Sequence, residues 1–515
     1  MPLPKTSLPW LIHALLAALI IFAVGAANGR PSVFPDTAWY YTQGEYFASR
    51  LGIETQRASE DREADPTSVM PRSEAMRKRI PATVAGGRSP YYGLALVATV
   101  EIGTLWLLAA IQAFVAAWLI AMLMRTSFPI SKPKYYYLLI ILSSLLTSLP
   151  FFASFAMPDL FAAFVIICIT IQTVYADRTS FQSRILVWFL LTVSVSFHAA
   201  NIVISSILLI ASIPILAALG IPTRAIAGRA AGSAAAIAMA VISGWAFGAV
   251  YRSDAGIAQR SPPFLMARLI ADGPGRDYLD AACPGGASPT LCRFKERPMA
   301  SEDEILWSEN QTRGVFNISD YETRTRLKDE ELAFVLAVVA YSPLAVLRDA
   351  IGNGILQLGE FYVLEPMRNP ATFLKIGWWR RTAIERVVPH MDVCERDAEA
   401  CGPRMDGVLL AVLHIVTVLG SVCFAFYTLV QVFRSGAVAE ERRAGGKDLQ
   451  RLLTAGLIIT LGVILNAFVC GAISGHFARY QARVVWLVPL VAMLLANYRS
   501  LLGKTPLDAS KKVVV

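Results

Sequence analysis

Charged side chains are scarce in this chain: Asp, Glu, Lys and Arg make up 17% of its 515 residues, whereas hydrophobic residues make up 55%. The apolar residues gather in repeated continuous runs, many of them long enough to cross a bilayer. Backbone in lipid must satisfy its own hydrogen bonds, and these runs do not alternate with polar residues, so we predict helical spans rather than a barrel. The composition excludes a soluble enzyme and predicts an all-α polytopic integral membrane protein.

The apolar runs predict about ten transmembrane helices. They are Leu8–Ala27, Ile102–Met124, Tyr136–Leu149, Asp159–Tyr175, Ile185–Phe197, Ala200–Leu219, Ala230–Val250, Val408–Phe433, Leu452–Ala472 and Val484–Asn497. They divide the chain into an N-terminal transmembrane module (1–250, about seven spans), a segment of outer loops and juxtamembrane helices (251–406), and a C-terminal module (407–515, about three spans). The first run follows Lys5 as a signal peptide would, but its apolar length favours a retained span.

Positive charge sets the predicted orientation. Arg125, Lys132, Arg178, Arg224 and Arg434 lie in or beside short loops on one side, which the positive-inside rule makes cytoplasmic together with both termini. The opposite, outer side receives the three long segments 28–98, 251–332 and 364–406. The net charge of +9 therefore needs no nucleic-acid partner, because basic loops of this kind face anionic lipid headgroups.

Cysteine is also rare, with seven residues in all. Cys283 with Cys292, and Cys394 with Cys401, form two close pairs, and each pair lies in a segment assigned to the outer side. We expect disulfides there and an oxidising compartment. Neither pair has zinc-finger spacing with histidines. The other three, Cys168, Cys423 and Cys470, lie in predicted spans, where cysteine usually packs as a small apolar residue.

The outer segments also contain predicted helices. Trp39 and Tyr46, like Tyr40 and Phe47, recur at helical spacing, which predicts a helix at the membrane surface with its aromatic side chains toward the lipid. Residues 333–363 are apolar but interrupted by proline and charged residues. We interpret them as juxtamembrane helices that cover the bundle.

Four short motifs contain the polar residues of interest. They are Pro35-Asp36 after the first span, Arg88-Ser89-Pro90-Tyr91-Tyr92-Gly93-Leu94 before the second, Met157-Pro158-Asp159-Leu160, and Gly475-His476-Phe477-Ala478-Arg479-Tyr480 before the last. In this order they resemble the C-type (GT-C) glycosyltransferases, polytopic enzymes that use polyprenyl-phosphate-linked sugars. The likeness in layout covers roughly the first 220 residues, and 251–407 match only loosely.

The resemblance implies that an acceptor hydroxyl attacks the anomeric carbon of a lipid-phosphate sugar on the periplasmic face of the cell inner membrane, or on the lumenal face in a eukaryote. Asp36 would orient the acceptor as the catalytic carboxylate. Donor or acceptor binding would involve the remaining residues, namely Asp159, Arg88, Tyr91, His198, Arg479 and Arg483. The acceptor would be an envelope lipid, glycan or protein.

Each of these residues has a structural alternative. Asp36 and Asp159 both follow a proline at a helix start, where aspartate is a good N-cap. Arginines at span ends also anchor to headgroups. His198 lies at the turn between two spans, where a satisfied structural histidine is common, and His13 and His414 lie on apolar faces. A divalent metal stays open, because Thr37 follows Asp36 where the family commonly has a second acid.

Two other function classes also fit a chain of this kind. A lipid-linked glycan transporter or flippase would place ionisable residues near the middle of its spans, and the predicted spans carry almost none there. An O-antigen ligase or polymerase would have a similar size, but its dominant outer loop comes late in the chain. A noncatalytic scaffold is the fourth alternative.

Overall fold

The computed structural model describes residues 7–53, 55, 88–128, 132–255, 261–285, 289–369, 387, 394, 396–397, 399–436 and 447–502. Within these ranges the regular elements are helices, apart from one isolated parallel β-bridge between Ser32 and Phe155. Residues 56–87 of the predicted first outer loop (28–98) lie outside the described residues.

The N-terminal half, where the structure describes it, consists of ten helices, and short connections join them from the third helix onward. They are α1 (Ser7–Ala27), α2 (Pro35–Arg50), α3 (Pro90–Glu101), α4 (Leu105–Ser127), α5 (Pro133–Leu146), α6 (Leu149–Ala153), α7 (Phe161–Val174), α8 (Phe181–Phe197), α9 (Ala199–Ala218) and α10 (Thr223–Ala255). A 3₁₀ turn, Pro158–Leu160, directly precedes α7, and a second one, Ala176–Arg178, follows it.

The second half begins with shorter helices and ends with long ones. They are α11 (Phe264–Asp272), α12 (Pro274–Ala282), α13 (Glu302–Trp307), α14 (Tyr321–Tyr341), α15 (Pro343–Gly359), α16 (Gly407–Arg434), α17 (Asp448–Ile473), α18 (Ala478–Val485) and α19 (Leu487–Leu502).

Seven helical runs in the described residues are long and apolar enough to cross a membrane: α1, α4, α9, α10, α16, α17 and the continuous run of α18 and α19. Large apolar side chains on them are exposed, for example Val416 (63%) and Phe426 (69%) on α16, as expected of a surface that faces lipid. The structure therefore confirms a multi-pass helical membrane protein. Three further predicted spans coincide with the shorter apolar helices α5, α7 and α8.

Two details of the predicted spans are resolved. The runs around Phe197 and Ala200 are separate helices, α8 and α9, that meet at His198. Residues 333–363 form parts of α14 and α15, which meet at Ser342 with a bend of 108° and together are apolar enough for one broken span. Their juxtamembrane position stays a prediction.

Helix α7 is the centre of the bundle. All fourteen of its residues, Phe161–Val174, are buried, and it contacts α4, α8, α9, α10 and α17. Its sequence, FAAFVIICITIQTV, has no polar face, so burial on every side is what this composition favours. The helix joins the two ends of the bundle, and the site described below lies at its N-terminal end.

The segment predicted to lie outside, 251–406, has a small hydrophobic core of its own. Met266 and Ile270 of α11 pack with Phe316, Phe334 and Val338 in a cluster separate from the main core. Disulfide bonds join Cys283 to Cys292 and Cys394 to Cys401, both within this segment, which confirms both predicted pairs. Of the free cysteines, Cys168 and Cys470 are buried, whereas Cys423 is exposed on α16.

Helix α2 forms where helical spacing predicts it, but the expected orientation is wrong. Trp39, Tyr40, Tyr41 and Tyr46 are at least 94% buried inside the protein rather than facing lipid. Tyr40 makes an edge contact with Tyr92 of α3, with ring centroids 5.3 Å apart. The aromatic residues therefore fix α2 to its neighbours.

Helices α2 and α3 touch at two glycines. A Cβ placed on Gly44 would lie 2.1 Å from the backbone of Gly93, and a Cβ on Gly93 would lie 2.1 Å from the carbonyl oxygen of Tyr40. Since backbone cannot yield as a flexible side chain does, only glycine fits at this crossing. The crossing holds Asp36, in the first turn of α2, in its position.

We expect Gly44→Ala to lower the free energy of unfolding by about 1–3 kcal/mol, the usual cost of overpacking a tight contact. Thermal unfolding of the purified protein in detergent measures this. The control is Gly248→Ala in α10, where a new Cβ meets nothing within 4 Å and should leave stability unchanged or slightly raised. Equal stability of the two variants would contradict the tight crossing.

Candidate active-site cavity

A cavity of about 880 Å³ opens at the N-terminal end of α7. One wall comes from the start of α2, the Pro158–Leu160 turn and the turn before α18, and the other from α13 and the residues around it. Five residues singled out from the sequence line it: Asp36, Arg88, Asp159, His198 and Arg479. The structure thus brings together side chains that lie more than 400 positions apart in the chain.

The two aspartates line the same cavity because two loop segments pair through their backbones. The N–H of Ser32 donates to the carbonyl of Ser154 (2.9 Å), and the N–H of Ala156 donates back to the carbonyl of Ser32 (2.8 Å). The side-chain amide of Gln112 donates to the carbonyls of Ala153 and Phe155 and holds this strand-like segment against α4. Asp36 follows the first segment and Asp159 follows the second.

Asp36 is held by arginines and does not cap α2. Its Oδ1 lies 2.9 Å from Nη2 of Arg88, and its Oδ2 lies 3.8 Å from Nη2 of Arg479. The helix starts at Pro35, which places Asp36 in the first turn, and Thr37 provides the capping contact by accepting from the N–H of Phe34 (2.9 Å). The N-cap alternative for Asp36 is therefore wrong.

Arg88 keeps its charge in this setting. Burial alone would lower the pKa of the Arg88 guanidinium. The negative charge of the adjacent Asp36 raises this pKa, and the net pKa lies above the ordinary value. The same burial raises the pKa of Tyr40, which also lines the cavity, so its phenol stays neutral. Arg88 is thus a fixed cation beside the carboxylate.

Arg479 is surrounded by aromatic rings. Its guanidinium carbon lies 4.0 Å from the ring centroid of Phe34 and 5.1 Å from that of Tyr480. The side chain is only 8% exposed, and among the described residues its Nε and Nη1 have no hydrogen-bond partner. The turn before it is clamped by Gln357 of α15, whose amide accepts from the N–H of Phe477 (3.0 Å) and donates to its carbonyl (2.9 Å).

Asp159 and Arg483 form a buried ion pair beneath these groups. Nη1 of Arg483 lies 3.5 Å from Oδ1 of Asp159, and both side chains are at least 98% buried. Arg483 also donates through Nη2 to the side-chain oxygen of Asn466 (3.0 Å) and to Sγ of Cys470 (3.2 Å). Asp159 lies within the 3₁₀ turn, whose N-cap is Met157, so the capping alternative is wrong here as well.

His198 serves both as a helix cap and as part of the cavity lining. Its Nδ1 accepts the N–H of Ala200 (3.2 Å) and caps α9, which supports the structural alternative. Burial first, and then the positive charges of Arg483, Arg88 and Arg479, hold its pKa well below the ordinary value. The ring is therefore neutral near pH 7, with its proton on Nε2, and cannot act as a phosphate-binding cation.

Tyr91 is not among the cavity-lining residues. Its ring makes an edge contact with Phe47 on α2, 5.5 Å between centroids, while the neighbouring Tyr92 is fully buried beside Tyr40. Because α3 begins at Pro90, consecutive residues point about 100° apart, and only one tyrosine of the pair can face inward. Tyr91 therefore does not line the cavity in which its binding role was predicted.

Two acids in the lining could not be found from motifs. Glu365 follows α15 in an irregular segment; it is 92% buried, its Oε2 has no hydrogen-bond partner in the described part of the chain, and burial raises its pKa against the lowering effect of Arg479. Asp303 lies at the start of α13. The only sequence signal was a run of three acids after a capping serine, Glu302-Asp303-Glu304, which is common at helix starts.

The lining does not form a ready metal site. Among the described residues there is no group of three or more His, Cys, Asp and Glu side chains placed to hold an ion. Glu302 is paired with Arg268 (3.2 Å) and Glu304 with Arg313, so two of the acids are already neutralised. The arrangement favours recognition of an anion by arginine.

No protein-family model, no curated protein and no solved structure matches this chain.

Proposed function

We propose that this protein is a membrane glycosyltransferase of the C type, which transfers a sugar from a polyprenyl-phosphate-linked donor to a hydroxyl of an envelope lipid, glycan or protein. The reaction would take place in the cavity at the N-terminal end of α7. The observation that carries the proposal is the position of Asp36, whose two oxygens approach Arg88 and Arg479 at the edge of a bundle of membrane helices.

This cluster suits the chemistry of a lipid phosphate. Arg479 has two unpartnered nitrogens among the described residues, and Arg88 has one, its Nε, all buried. Unpaired buried donors are costly, and a phosphate would supply the charged acceptors that guanidinium groups bind best. Binding of phosphate to both arginines would compete with Asp36 for them and would leave its carboxylate available to an acceptor.

Transfer replaces one bond at the anomeric carbon with another. The acceptor oxygen forms a bond to the anomeric carbon while the bond between that carbon and the phosphate oxygen breaks, and its electron pair leaves with the lipid phosphate. Asp36 receives the proton of the acceptor hydroxyl. Arg88 and Arg479 stabilise the charge that develops on the departing phosphate.

The opposite wall suits an acceptor with hydroxyl groups. Asp303, Asn310 and Glu365 supply acceptors or donors, and Trp39 and Trp307 supply flat apolar faces around the same cavity. Carboxylates and amides paired with aromatic rings are a usual way to bind polar ligands with apolar faces. The cavity, at about 880 Å³, has room for more than one sugar ring.

Donor binding tests the phosphate part of the proposal. We expect Arg88→Gln to weaken binding of polyprenyl phosphate by the purified protein at least about tenfold, since a charge-assisted hydrogen bond to phosphate contributes about 1.5–3 kcal/mol. Arg326→Gln is the matched control, because it removes the same charge from an exposed residue on α14 that pairs with Glu322 and does not line the cavity. Unchanged binding in Arg88→Gln would remove Arg88 from the site.

A transporter would give a different pattern in the same preparation. Sugar-labelled lipid would cross the bilayer of reconstituted vesicles without any change in its covalent structure. Formation of a glycosylated acceptor together with free polyprenyl phosphate identifies transfer, and movement of intact lipid alone would overturn the proposal.

A further inference from the structure

A second polar cavity lies at the other end of α7. Its volume is about 490 Å³, and it is lined by Gln172 of α7, Asp177 of the following turn, Arg184 and Trp188 of α8, and Arg229 of α10. Since α7 begins at the candidate active site and ends here, the two cavities are separated by the length of the helix, about 21 Å at 1.5 Å per residue. Sugar transfer, as proposed above, makes no use of this cavity.

The side-chain amide of Gln172 has a donor that suits a ligand with acceptor atoms. Its side-chain oxygen accepts from the hydroxyl of Ser233 (2.8 Å), which fixes the orientation of the amide. Its Nε2 is buried and has no hydrogen-bond partner in the described residues, although the side chain is 92% buried. An amide donor left unpaired at this depth is unfavourable unless something else fills the cavity.

The charge around Gln172 is positive. Asp177 is bound by both Arg229 (3.2 Å) and Arg451 (2.7 Å), so its negative charge is already compensated. Arg184 lines the cavity and makes no ion pair with any described residue. An anion could therefore bind between Arg184 and the amide of Gln172 without displacing an existing pair.

Apolar surface begins directly beside the cavity. The indole N–H of Trp188 donates to the carbonyl of Gly232 (3.0 Å) and closes one wall between α8 and α10. On the same stretch of α8, Ile185, Leu186 and Phe189 are 49%, 52% and 56% exposed. Alkyl chains of a ligand whose polar end occupied the cavity could lie along these side chains.

We propose that this cavity binds the headgroup of an anionic phospholipid, with the phosphate between Arg184 and the Nε2 of Gln172 and the acyl chains along the exposed face of α8. A basic pocket between membrane helices that opens onto apolar surface has the chemistry for such a lipid. A soluble phosphate compound could make the same phosphate contacts, but it has no alkyl chains to pack on the apolar face of α8.

The test uses full-length protein purified free of lipid, titrated with detergent micelles of phosphatidylglycerol or of phosphatidylcholine, with bound lipid counted by native mass spectrometry. We expect preference for phosphatidylglycerol. Arg184→Gln should weaken its binding about tenfold, the effect of one charge-assisted hydrogen bond. Gln172→Met, which fills the same space without a donor, should weaken it less but measurably.

The control is Arg224→Gln, which removes the same charge from an exposed residue in the first turn of α10 that does not line the cavity. Arg224→Gln should bind like the wild type. Equal affinity for the two lipids, or an equal loss in Arg184→Gln and Arg224→Gln, would overturn the site. If inorganic phosphate occupied the cavity equally well with and without lipid present, the assignment to a phospholipid would be overturned. Arg184 is exposed, so folding of that variant is not at risk.

Discussion

Asp36→Asn is expected to reduce the rate of the proposed sugar transfer by at least about a hundredfold, because an amide cannot take the proton of the acceptor hydroxyl. The change is nearly isosteric, and Thr37 rather than Asp36 caps α2, so the helix start should persist. The measurement is turnover of a labelled lipid-linked sugar by the purified protein, with thermal unfolding run in parallel to confirm the fold.

A matched control is available on the same chain. Asp406 caps α16 by accepting the N–H groups of Val408 and Leu409 (2.8 and 2.9 Å), and asparagine is an equally good cap. Asp406→Asn should transfer sugar at the wild-type rate. Wild-type turnover in Asp36→Asn would remove the catalytic role of this carboxylate, even if the cavity still bound donor lipid.

Arg483→Met is expected to lower the free energy of unfolding by more than Gly44→Ala does. It removes the ion-pair partner of the buried Asp159 and the donors that reach Asn466 and Cys470. Breaking a buried pair from one side typically costs about 3–5 kcal/mol. Unfolding by heat or denaturant in detergent measures the effect.

The double variant distinguishes a lost pair from lost packing. Asp159→Asn with Arg483→Met removes both charges and should recover a substantial part of the stability, because no charge is left without a partner. A double variant as unstable as the sum of the two single variants would show that the groups do not interact. Stability rather than activity is the readout for these variants, because Asp159 and Arg483 lie beneath the cluster at Asp36.

Sequence alone predicted the convergence of Asp36, Arg88 and Asp159 only through the resemblance to a known layout. Nothing in the composition places residue 32 next to residue 155, because a single backbone bridge between loops leaves no periodic pattern. Likewise Glu365 belongs to no motif, and its burial depends on how α15 and the following segment pack. Long-range placement of loop residues is a property of the tertiary structure.

Local rules explain the remaining differences. Proline favours the first position of a helix, so Pro35 places Asp36 one residue inside α2, and the N-cap assignment failed for that reason. The aromatic spacing in α2 predicted the helix correctly, but spacing cannot say whether the partner is lipid or protein. The long apolar runs were the most predictable feature, since hydrophobic length alone identifies a candidate span.

The clamp between Gln357 and Phe477 limits how the cavity can open. Helix α15 packs along α17, and its Asn353 donates to Asp272 at the end of α11 (2.9 Å). The turn that leads to Arg479 is therefore connected through α15 to Asp272. A change in the cavity that displaced α15 would also displace Arg479.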